Sequence, residues 1–133
     1  MDVTPSAHAA ALWVGLHLIL LIVLSVLVVR QRRAHGVVLG DNDIPELTQA
    51  VRAFGNATEY VPSGLIAIAV LAMAGAPPMI VHTTGLILFV GRVAHAIGLS
   101  RSGGSSVLRS AGVTLTWLAY IMGGVALIFY AIP

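Results

Sequence analysis

The chain has 133 residues, of which 58% are hydrophobic and 9% charged, with a net charge of +2 and neither lysine nor cysteine. That balance lies far from soluble domains and indicates a single integral membrane domain over residues 1-133. The lack of cysteine excludes disulfides, thiolate metal sites and a protein-borne thiol nucleophile, so any thiol chemistry must use a thiol carried by the substrate.

The first apolar segment runs from about Ala7 to Val29, with His17 near its middle. Its N-terminus carries Asp2 and no basic residue, and the apolar run is long enough to span, so it reads as a membrane helix rather than a signal peptide. Gln31 to Asp43 is rich in turn residues, including Gly36, Gly40, Asp41 and Asn42. A second helix is expected to start near Pro45, with Asp43 as its N-cap and Glu46 in its first turn.

Within that helix lies Arg52-Ala53-Phe54-Gly55-Asn56-Ala57-Thr58-Glu59-Tyr60-Val61-Pro62. Arg52, Asn56 and Glu59 fall at i, i+4 and i+7, on one face. Arg52 and Glu59 are then about 10 Å apart along the axis. Such a face at a membrane edge needs partners. It suits either an Arg–Glu strut between helices or a small zwitterionic ligand. Pro62 removes a backbone donor, so a bend is expected near Thr58. The apolar part of the helix continues to Ala76, and Pro77-Pro78 forces a short turn.

The third apolar segment, about Met79 to Leu99, carries Arg92 and His95 on one face at its far end. Ser100 to Ser106 is rich in serine and glycine and reads as a mobile connection. Leu108-Arg109-Ser110 opens the fourth segment, about Ala111 to Ile132. The expected fold is therefore all-α, a four-helix membrane bundle. At one end it gathers Arg32, Arg33, Arg52, Asn56, Glu59, Arg92, His95 and Arg109 into a cationic pocket with one buried anion. Trp13 and Trp117 read as packing or interfacial residues. The five histidines show no metal spacing, and no metal site is expected.

All seven arginines flank the first and third connections. The positive-inside rule then places both connections in the cytoplasm and both termini outside, as for a multi-pass membrane protein. A bundle this small has little interior of its own, so a ligand site forms more readily where subunits meet.

These runs resemble those of the MAPEG family, the membrane-associated proteins in eicosanoid and glutathione metabolism. The resemblance covers almost the whole chain and is nearest to the short bacterial members. It is carried by Arg52-x3-Asn56-x2-Glu59-x2-Pro62, by Gly91-Arg92-x2-His95 and by Leu108-Arg109-Ser110. It implies a homotrimer with glutathione bound between subunits near the cytosolic face. The implied glutathione contacts are Arg32, Arg52, Asn56, Glu59, Tyr60, Arg92 and His95, and Arg109 is the implied stabiliser of the thiolate. It also implies a glutathione transferase or glutathione-dependent peroxidase acting on an apolar small molecule or lipid, with no nucleic-acid partner. Three departures stand out. Leu99 occupies the place of a family tyrosine, Gly55 that of an arginine in one branch, and the Arg101–Arg109 connection is about three residues longer than in the leukotriene-synthase type. The alternative is a non-catalytic lipid- or glutathione-binding membrane protein. A proton-coupled exporter would need its carboxylate near the midplane with few cations, which Glu59 among arginines does not satisfy.

Overall fold

A computed structural model describes residues 4–101 and 103–132. These form four helices, α1 (Pro5–His35), α2 (Pro45–Met73), α3 (Pro78–Arg101) and α4 (Val107–Tyr130). All four are long and apolar enough to cross a membrane. The all-α four-helix membrane architecture expected from the apolar segments is therefore observed.

The ends of the helices follow from local chemistry. Thr4 caps α1 by accepting the Ala7 N–H at 3.2 Å. The helix then runs 31 residues, past the apolar limit at Val29 and through Arg32, Arg33 and His35. At about 1.5 Å per residue it is roughly 46 Å long, more than the ~30 Å apolar core, so its basic end projects beyond it. Cations in the last turn suit the negative end of the helix dipole. Gly36, at φ 65°, closes the helix in the left-handed conformation that glycine tolerates.

Helix α2 begins at Pro45, where expected, but its cap differs. Ile44 is the N-cap and makes no side-chain bond. Asp43 sits at φ 55° and Asn42 at φ 49°, so the chain turns through both before the helix starts. Asp41 supplies the polar contact instead, its carboxylate accepting from Thr48 Oγ1 at 2.9 Å. Helix α2 runs unbroken through Pro62. Helix α4 starts four residues before its apolar stretch, because Ser106 Oγ accepts the Arg109 N–H at 3.3 Å. Arg109 therefore lies in the first turn of α4.

Ser6 Oγ donates to the Ala76 carbonyl at 2.6 Å, pinning the start of α1 to the α2–α3 turn. Near this end, Trp13 is buried against α3, where a Cβ on Gly85 would overlap its ring. Its indole N–H donates to His82 Nδ1 at 3.2 Å. Trp13 is thus a packing residue, whereas Trp117 on α4 is 55% exposed. His17 is fully buried, and its Nδ1 donates to the Trp13 carbonyl at 2.7 Å.

The most extensive contact is between α3 and α4. A Cβ on Gly112 would lie 2.6 Å from the His95 backbone nitrogen and 2.7 Å from the Gly91 carbonyl oxygen. Glycine at Gly112 thus lets the two backbones approach, as small residues do in membrane helix pairs. That approach sets the reach of Arg92, His95 and Arg109 relative to one another. Helix α1 packs on α2 and α3 and leaves Leu18, Ile19, Ile22, Val23 and Val26 exposed.

Candidate functional site

At the end of the bundle opposite Ser6, α2 presents Arg52, Asn56 and Glu59 to one cleft of about 390 Å³. Their helical spacing puts all three on its wall, as the sequence requires. His95 and Leu99 of α3 and Arg109 of α4 form the other wall. A recess of about 240 Å³ beside it is lined by Thr48, Gln49, Arg52, Leu99, Gly103 and Arg109. On the far side of Arg109 lies an open groove of about 510 Å³, whose walls include Ser110, Val113, Thr114 and Trp117. His95 and Arg109 are the two residues that line both the cleft and the groove.

Behind the cleft, Arg92 is 2% exposed and cross-links three helices. Its Nε donates to Thr116 Oγ1 on α4, and its Nη1 donates to Asn56 Oδ1 on α2, each at 2.9 Å. Its guanidinium carbon lies 5.0 Å from the centroid of the Tyr60 ring, a cation–π arrangement. The Tyr120 hydroxyl donates to the Tyr60 carbonyl and lies 2.8 Å from Ser63 Oγ. Arg92 thus fixes Asn56 with its amide oxygen turned inward. The remaining Arg92 nitrogen, Nη2, is buried without a hydrogen-bond partner among the described residues. Both hydrogen-bond acceptors are neutral, so the charge is held by dipoles and a ring face.

The structure separates the expected site residues into three groups. Arg52, Asn56, Glu59, His95 and Arg109 meet at the cleft. Arg92 and Tyr60 stand one layer behind it and reach it through Asn56. Arg32 lies elsewhere within a single chain, beside Val29, Arg33, Gly36 and Val37, and its Nη1 donates to the Val38 carbonyl at 3.2 Å. The anion expected to be buried, Glu59, is exposed on the rim of the cleft, because α2 turns that edge away from its own bundle. Among the described residues no cluster of three histidine or acidic side chains could hold a metal ion.

Sequence reasoning missed Thr116, although it lies seven residues after Arg109, two turns along one face of α4. It also missed the groove walled by Val113 and Trp117. Arg109 has no carboxylate among the lining residues on its own side of the cleft. Its Nη1 donates to the Gly104 carbonyl. It sits at the N-terminal end of α4, where the helix field is already positive, so the spot favours an anion.

Four membrane-length helices, with a cleft lined by Arg52, Glu59 and Arg109 at one end of the bundle, define an integral membrane protein. The chain belongs to the MAPEG family, whose profile matches residues 10–129. It is 34% identical over 121 residues to the inner membrane protein YecN of Escherichia coli strain K12, an alignment that covers 91% of each chain. YecN of Escherichia coli O6:H1 matches to the same extent.

Proposed function

We propose that the protein is a glutathione transferase or glutathione-dependent peroxidase of a bacterial inner membrane, acting on apolar electrophiles that partition into the bilayer. The observation that carries this reading is the sharing of His95 and Arg109 by a polar cleft and a groove walled by Val113 and Trp117. Two substrates of opposite polarity could meet there. Glutathione has two carboxylates and one ammonium. Arg52 suits a carboxylate, Asn56 a backbone-like amide and Glu59 the ammonium. A guanidinium at the sulfur raises the thiolate fraction at neutral pH, and the thiolate is the nucleophile. The thiolate then attacks the electrophilic carbon and the leaving group departs with its electron pair.

The working unit in this reading is a homotrimer. The exposed apolar face of α1 and the open rim at Glu59 support a neighbouring subunit there, and Arg32 would enter the site from that neighbour. The arginine distribution supports a cytosolic cleft with both termini outside.

Leu99 favours a second reading. It is buried in the cleft wall at the position where the family resemblance implies a tyrosine, so the protein could hold glutathione or a lipid without turning it over. One experiment separates the two. Glutathione should raise the thermal stability of the detergent-solubilised protein, show a thiolate absorbance on binding and react with an aryl halide. Arg109→Ala should lower the rate more than the affinity. Binding with neither thiolate nor turnover selects the non-catalytic reading.

A further inference from the structure

The thiol must lose its proton before it can react, and His95 is the imidazole that lines the cleft beside Arg109. His95 is 6% exposed, and its Nδ1 lies 3.0 Å from the Arg109 carbonyl oxygen. A carbonyl can only accept, so Nδ1 carries the hydrogen and the neutral ring presents Nε2 as a lone pair. Nε2 has no hydrogen-bond partner among the described residues. It is also absent from the polar atoms sealed away from solvent. The same ring lines both the cleft and the groove, beside Arg109 in each. The backbone that orients His95 therefore belongs to Arg109, the arginine assigned to the thiolate in the reading above.

We propose that His95 Nε2 is the proton acceptor for the thiol bound at Arg109, an inference that rests on the glutathione reading above. The S–H bond breaks, its proton passes to Nε2 and its electron pair stays on sulfur, next to the Arg109 guanidinium. The thiolate forms the new S–C bond as the leaving group takes the C–X electron pair. With an epoxide, the imidazolium returns the proton to the developing alkoxide. With a halide, the proton leaves to water.

The charged groups around His95 are Arg92 on its own helix, Arg52 and Glu59 on α2 and Arg109 on α4, while α1 contributes no residue to the cleft, the recess or the groove. The surrounding charge is mainly positive before reaction, and the sulfur anion that forms beside Arg109 is the counter-charge that keeps the transferred proton on the ring.

The test compares wild type with His95→Asn and His95→Phe in detergent, using glutathione and an aryl halide. Asparagine can place its amide nitrogen where Nδ1 stands and keep the bond to Arg109, but it offers no lone pair at Nε2. Three signals are followed: thiolate absorbance, proton release into a dye-reported weak buffer, and the pH dependence of kcat/KM. In wild type near neutral pH, thiolate should appear with less than stoichiometric proton release. In His95→Asn, release should match the thiolate formed, and kcat/KM should fall on the order of 100-fold. The deficit should shrink as pH rises and hydroxide replaces the base. Equal proton release in wild type and His95→Asn, with thiolate present in both, overturns the role of His95 and leaves the glutathione reading standing. Glutathione binding to wild type without any thiolate overturns both. His95→Phe, which lacks both ring nitrogens, should lose rate as His95→Asn does, and a His95→Phe variant with wild-type kcat/KM overturns the role.

Discussion

The Arg92 guanidinium lies over the Tyr60 ring, 5.0 Å from guanidinium carbon to ring centroid, and joins α3 to α2 without any carboxylate. A buried cation held by a ring, an amide and a hydroxyl is sensitive to the loss of any one of them. Asn56→Ala should therefore leave Nη1 unpaired and lower stability by about 1.5–3 kcal/mol. Thermal unfolding in detergent checks this, and an unchanged midpoint would show that Arg92 finds another acceptor. Arg92→Lys should be nearly as harmful, since an ammonium cannot bond Thr116 and Asn56 in the same fork geometry.

Gly112→Ala should separate α3 from α4. The added methyl would meet the backbone of His95 and Gly91, and backbone atoms cannot rotate aside. A cost of about 1–3 kcal/mol is expected. Gly124→Ala is the control, because nothing lies within 4 Å of a Cβ there. Its effect should be within about 0.5 kcal/mol of wild type in the same unfolding assay.

Glu59→Gln should weaken glutathione binding by removing the partner of its ammonium. A charge-assisted bond contributes about 1.5–3 kcal/mol, or roughly a tenfold to hundredfold change in Kd. Calorimetry on folded variant protein reads this directly. Equal affinity would remove Glu59 from the site.

The Thr48 hydroxyl, and after it the Asp43 backbone N–H, hold the Asp41 carboxyl below its ordinary value of 3.8. A carboxylate depressed in the folded state contributes stability above the unfolded-state pKa and loses it as pH falls through the folded value. Thr48→Val should therefore remove a small part of the acid dependence that begins below pH 3.8. Paired unfolding curves at neutral and acid pH measure it, and parallel curves for the two proteins would exclude the contact.

The helices and one wall of the cleft were legible because they rest on periodicity. Apolar runs of membrane length mark spanning segments, and i, i+4, i+7 spacing places Arg52, Asn56 and Glu59 together whatever the tertiary fold. Contacts between helices were less legible. The bond from Arg92 to Thr116 depends on how closely α3 and α4 approach, which the glycines set in three dimensions. The partner of His95 is a backbone carbonyl, and a carbonyl has no residue type to read. The Asp43 cap failed for a local reason: two successive left-handed residues turn the chain before the helix starts, leaving Asp41 to bond Thr48. Glu59 was expected to be the buried anion of a cationic pocket, but its edge of α2 faces away from the single-chain bundle.

The polar face of α2 also has a bearing on biogenesis. Asn56 finds its donor on α3 and Arg52 shares a cleft with α4, yet α2 leaves the ribosome before either helix exists. It is also the least apolar of the four spans. During synthesis it must enter the bilayer, or wait at its surface, with these groups unmatched. Retention of α2 by the insertion machinery until the α3–α4 hairpin arrives would resolve this, and a chain truncated after the Pro77-Pro78 turn should integrate poorly even though it retains the most apolar helix.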